Sequence, residues 1–168
     1  MDWPTRSVLV LVIALSSLAA GAATPDPHGN PLPSAAEYST TLLPERKGVL
    51  SWKTLGQVKP LNEGGRIVPQ FSKDVLDLDK QDVRVQGFMV PVEADIKHKH
   101  FVLSAVPPSC PFCMSAGPEA IIEVRMKSGI DFSHDPILLS GKFAVRADDP
   151  RGVFYILTEA VSKTAGLD

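Results

Sequence analysis

The chain has 168 residues, a formal net charge of −2 at pH 7 and a sequence pI near 6.1. That length gives one ordinary domain with a modest core. The charge lacks the electrostatic footprint of a nucleic-acid or anionic-membrane binder, so no nucleic-acid partner is expected.

The N-terminus reads as a secretory signal over residues 1–22. Arg6 supplies the positive start, an apolar run extends from Val8 to Leu18, and Ala20-Gly21-Ala22 gives the small-x-small pattern read by signal peptidase. The apolar core is about a dozen residues, short of the roughly 20 that a membrane-crossing helix needs. A soluble mature chain starting near Ala23, exported to the periplasm, is therefore expected. No cysteine lies near the cleavage point, which excludes a lipoprotein form. Residues 23–48 hold Pro25, Pro27, Pro31, Pro33 and Pro44 with little apolar periodicity, and read as a disordered, proline-rich tether.

The remaining stretch, 49–168, reads as the folded domain. Trp52 and Leu55 begin the first credible packing and suggest a short strand. Phe71, Val75 and Leu78 have helical spacing, so a short helix or turn is expected before Asp79-Lys80-Gln81-Asp82. Five strand-like runs follow, at Val83–Val92, Phe101–Val106, Ile121–Lys127, Ile137–Arg146 and Val153–Val161. In the third, Ile122, Val124 and Met126 alternate against Glu123 and Arg125. Gly87 and Gly141 fall inside runs, where glycine marks a bulge or sharp bend, and small closed barrels need such corners. The pattern predicts a mainly β fold, a five-stranded barrel of the oligonucleotide/oligosaccharide-binding (OB) type, with an open β-sandwich as the alternative. No helix is evident between the third and fourth strands.

The run Val83-Arg84-Val85-Gln86-Gly87-Phe88-Met89-Val90-Pro91, then Phe101-Val102-Leu103-Ser104, Cys110-Pro111-Phe112-Cys113, Pro118, Glu123-Val124, Gly141 and Tyr155-Ile156-Leu157 resembles the domain of unknown function 3299 family. The resemblance spans residues 50 to 161. It implies an exported bacterial protein with an OB-like barrel, no established catalytic activity, and an association with metal-linked ABC-type transport systems.

Cys110 and Cys113 are the two cysteines of the chain. Met114 stands where attachment of c-type haem needs a histidine. A thiol–disulfide site would place its first cysteine at a helix start in a βαβ fold, which lowers the thiol pKa; the strand pattern offers neither. Two thiolates three apart form half of a tetrahedral metal site. A thiophilic ion, zinc or copper(I), is thus the leading expectation, with Met114 or Asp148 as a third ligand; no organic cofactor is expected. A redox pair and an inert disulfide remain open, although so short a loop gains only about 2 kcal/mol from closure.

His98, His100 and His134 form a second candidate set, because the loops after the first and third strands share one end of such a barrel. At about 3.3 Å per residue, the second strand separates His98 from Cys110 by its whole length. The competing reading, which the lysines favour, is an exposed basic hairpin tip, Lys97-His98-Lys99-His100. Asp148 and Asp149 share the cysteine end, as outer-shell partners or as a polar turn. Glu93, Asp95 and Glu123 read as carboxylates without pairing. No nucleophile elbow, phosphate-cradling glycine loop or His-Glu-x-x-His occurs, so no enzyme is expected.

Overall fold

The computed structural model describes residues 35–64, 66–108 and 117–163. The signal at 1–22, the first part of the tether, and Cys110, Cys113 and Met114 lie outside the described residues. The order is α1 (Ala35–Leu42), α2 (Trp52–Leu55), β1 (Val58–Glu63), β2 (Arg66–Phe71), α3 (Lys73–Leu76), β3 (Asp82–Pro91), β4 (His98–Ser104), a short 3-10 turn (Pro118–Ala120), β5 (Ile121–Ile130), β6 (Ile137–Val145) and β7 (Tyr155–Lys163). Among the described residues no helix is long and apolar enough to cross a membrane.

β3 to β7 close into a barrel in the order β3-β4-β5-β7-β6, with β5 and β7 parallel and the other pairs antiparallel. This is the OB-type barrel expected from the strand pattern, and it has no helix between β5 and β6. Closure needs strands that serve two partners. Gly87 is the last β3 residue paired with β6, and Phe88 is the first paired with β4. A side chain at Gly87 would meet the Ser104 carbonyl oxygen and Leu103 Cγ at 2.8 Å each. Gly141 sits in the register shift between Ser140 and Lys142, where a Cβ would lie 2.7 Å from the Thr158 carbonyl oxygen. Both glycines permit backbone approaches that any other residue would push apart.

The inward positions follow the period of two. Val85, Phe101, Leu103, Ile122, Val124, Leu139, Phe143, Tyr155 and Leu157 are all fully buried. Phe143 and Tyr155 stack with ring centroids 5.5 Å apart. The segment before the barrel packs onto this core. Leu50 bridges to Val85, the Trp52 indole N–H donates to the Gln86 carbonyl at 2.8 Å, and the Tyr155 hydroxyl donates to the Leu55 carbonyl at 2.7 Å.

Three features differ from the sequence expectation. Trp52–Leu55 is a helical turn rather than a strand: the Ser51 hydroxyl caps it by accepting from the Lys53 N–H at 3.1 Å, and the i, i+3 spacing turns Trp52 and Leu55 to one buried side. Residues 35–42, within the stretch read as tether, form α1, and Leu43 is buried at its end. The packed chain therefore begins before residue 49. Finally, β1 and β2 form a two-stranded ribbon with Pro60 directly opposite Pro69. Facing prolines fit only a position whose nitrogens point away from the ladder, so each outer edge loses a donor there. That protects an exposed ribbon against edge-to-edge pairing.

Candidate functional site

β4 and β5 are the second and third strands of the barrel. The loops beside them, 92–97 after β3 and 146–154 after β6, complete the surface that OB barrels use for ligands. On this outer face lies a cluster of ionisable groups drawn from all four elements.

Its centre is Glu123. The alternation of β5 points it away from the barrel interior, yet it is only 3% exposed. Burial comes from the side chains laid over it. Arg125, two residues on and therefore on the same face, donates from Nε at 3.3 Å and Nη2 at 3.0 Å to Glu123 Oε1. His100, whose register partner is Arg125, brings Nε2 to 3.0 Å from the same oxygen. Arg151, from the 146–154 loop, sets Nη2 2.8 Å from Oε2. That Nη2 also donates to Asp149 Oδ2 at 3.0 Å while Nε donates to Oδ1 at 3.2 Å. The contact with Glu123 is thus an ion pair by distance, and Oε2 has no aligned donor among the described residues.

Burial pushes the Glu123 carboxyl up, but the groups around it, Arg151, Arg125 and His100, together win and hold it below the ordinary glutamate value. The hydrogen bonds from the Arg151 side chain and backbone likewise hold Asp149 down, and Asp149 and Glu123 raise Arg151. All three groups are fixed in their charged forms near neutral pH. On its far side His100 places Nδ1 3.1 Å from Glu93 Oε1. A neutral imidazole carries one N–H and the imidazolium two, so both contacts are hydrogen bonds only in the charged form.

Glu93 and Glu123, which the sequence leaves as unpaired carboxylates, are therefore joined through His100. The three-histidine set is not formed. His98 and His134 instead flank Phe132, with ring centroids 6.4 and 4.7 Å from it. The exposed hairpin tip also fails at one residue: Lys97 and Lys99 are exposed, but His98 is buried, with Nδ1 unbonded among the described residues. The register shift between His98 and His100 pairs the first with Ile130 and the second with Arg125, so the two histidines meet different surroundings on β5.

Among the described residues no group of three or more His, Cys, Asp or Glu side chains could hold a metal ion. His100 meets its two carboxylates through opposite ring nitrogens, so they do not converge on a common centre. The expected outer-shell role of Asp149 meets a competitor in Arg151, which both carboxylate oxygens bind. Glu123 lies beside Ile156 in the parallel β5–β7 pair. The segments entering β5 and β7 therefore share one barrel end, as the sequence topology implies. β4 ends at Ser104 opposite Ile121, the first residue of β5, at that same end.

Fold and site together define a small OB-type β-barrel with a buried, arginine-covered carboxylate on its outer β4–β5 face. No protein-family model and no curated protein matches the chain. Among solved structures, it is similar to a domain of unknown function 3299 family protein from Pseudomonas aeruginosa, at 18% identity and a TM-score of 0.45, over 56% of this chain and 67% of that one. That protein carries the family name that the sequence resembles.

Proposed function

We propose that this chain is an exported, periplasmic and non-catalytic binding module, an accessory of an ABC-type membrane transport system. It takes a ligand on the outer β4–β5 face and a thiophilic ion, zinc or copper(I), on Cys110 and Cys113. The observation that carries the binding reading is the Glu123 network on the face that OB barrels use for ligands. Its inner groups are committed to one another: His100 has a carboxylate at each ring nitrogen, and Glu123 is held as an anion. A general base needs a free lone pair, and a general acid needs a carboxyl raised toward the working pH. A network committed to its own partners suits recognition better than proton transfer. The metal half rests on the Cys110-x-x-Cys113 spacing, which supplies two thiolate ligands. Export rests on the apolar run from Val8 to Leu18 and its small-residue close. The transport association rests on the family resemblance.

The test is thermal unfolding of the reduced mature protein, whose intact mass should correspond to a start near Ala23. Zinc or copper(I) at a hundredfold excess over its dissociation constant should stabilise the fold by about 2.7 kcal/mol. Cys110→Ser with Cys113→Ser should abolish that gain, and His98→Ala with His100→Ala should leave a metal-dependent rise in place. A melting point that ignores both metals, together with rapid alkylation of Cys110 below neutral pH, would replace this reading by a thiol–disulfide oxidoreductase.

A further inference from the structure

The Glu123 network is layered. Its buried members are carboxylates, with the side chains of Glu123 and Asp149 only 4% and 5% exposed, whereas Arg125 and Arg151 above them are 60% and 52% exposed. A ligand approaching the β4–β5 face from solvent therefore meets guanidinium before it meets carboxylate. Neither guanidinium is fully engaged, although Arg151 Nη2 serves both Asp149 and Glu123. Glu123 takes Nε and Nη2 of Arg125, Asp149 takes Nε and Nη2 of Arg151, and Nη1 of neither arginine is hydrogen-bonded among the described residues. The two Nη2 atoms reach opposite oxygens of the one Glu123 carboxylate, so the arginines stand side by side.

We infer that Arg125 and Arg151 form a two-armed clamp for an oxyanion, a carboxylate or phosphate group of the ligand carried on the β4–β5 face; the inference rests on that face being the ligand surface. Arginine suits the task because its planar fork presents paired donors to such groups. Holding each guanidinium in advance by its carboxylate partners removes part of the ordering cost of binding through the free Nη1 group. Glu93, 55% exposed beyond His100, limits the cationic surface on that side. A chain of net charge −2 adds general repulsion. Both features favour a single oxyanion group over an extended polyanion such as single-stranded nucleic acid.

The experiment follows arginine side-chain and backbone NMR signals of the full mature protein at low ionic strength. Citrate and inorganic phosphate are titrated separately against a chloride control of equal ionic strength. Saturable shifts of Arg125 and Arg151 with at least one of them, absent with chloride, are expected, and the tighter of the two names the source of the oxyanion. Arg125→Gln should weaken that binding by about tenfold or more, the loss of one charge-assisted contact, and Arg125→Lys should recover only part of it. No saturable shift with either anion overturns the inference, as does unchanged affinity in a folded Arg125→Gln variant. Should that variant not fold, the wild-type map decides: shifts centred away from residues 100, 123–125 and 149–151 sink the clamp. The metal-dependent rise in melting point, read on the same protein, is independent. Its persistence without anion binding would leave the metal-binding module standing and remove only the clamp.

Discussion

The two faces of β4 and β5 are cut from the same residues in alternation, yet they do opposite things with burial. Inward, Phe101, Leu103, Ile122 and Val124 are completely buried, and their contribution is non-directional. Outward, Glu123 is nearly as well hidden at 3% exposure, but it is covered by Arg125, Arg151 and His100 rather than by hydrocarbon. Equal burial thus has unlike consequences. The inner face depends on volume and accepts any apolar shape that fills it. The outer face depends on charge placement, because a buried carboxylate is tolerable only while its donors stay in position.

The largest effect is expected on the inner face. Phe101→Ala should destabilise the fold by about 3–5 kcal/mol through lost transfer energy and the cavity left behind. Urea unfolding of the mature protein measures it. A loss under about 1 kcal/mol would mean that β4 does not line a packed core.

Glu123→Gln should come next, at about 1–3 kcal/mol near neutral pH, since it strips one charge from beneath two arginines and a histidine. The estimate stays below that for a fully buried pair because the arginines are half exposed. The pH dependence has a definite sign. The folded-state Glu123 pKa is depressed, so its contribution is fully present above the ordinary glutamate value of about 4.3 and fades as pH falls through the lower folded value. The stability gap between wild type and Glu123→Gln should therefore narrow on acidification. A gap that is constant or widens would show that shape, not charge, holds the site.

Tyr155→Phe should cost about 1 kcal/mol, one hydrogen bond to the Leu55 carbonyl, while preserving the stack on Phe143. Burial first, and then the charge of Glu119, raises the phenol pKa, so the donor stays protonated well into the alkaline range. Hydrogen exchange should show α2 loosening ahead of the barrel. Equal loosening of β3 to β7 would mean that the bond holds the barrel rather than docking the helix.

The inner face was legible in the sequence because period-two apolar residues report a pleated strand with one buried side. Gly87 and Gly141 marked the barrel corners for an equally local reason. The outer network was less visible. Glu123-x-Arg125 is a local signal, since residues two apart in a strand share a face, but Arg151 arrives from a loop and His100 from the neighbouring strand. Neither partner can be assigned to Glu123 before strand pairing is known. The β1–β2 ribbon escaped for a different reason: Pro60 and Pro69 interrupt the very donors by which a strand is recognised. The Trp52–Leu55 turn escaped because four residues are too few to establish a helical period.

The smallest effect is expected at an exposed ion pair. Lys97 and Asp131 form an ion pair of 2.6 Å, shorter than any contact made by Glu123, but with side chains 58% and 73% exposed. If distance governed the value of an ion pair, this one should matter more than the Glu123 network. Solvent screening and the entropy of fixing two long side chains argue the reverse. Lys97→Gln keeps much of the aliphatic stem and removes the charge. Stability should change by less than about 0.5 kcal/mol, and the residual difference should vanish in 1 M salt, where the screening length is about 3 Å. The Glu123→Gln gap, in contrast, should survive that salt because the carboxylate is shielded from solvent. A Lys97→Gln loss as large as that of Glu123→Gln would mean that burial is not what separates the two faces.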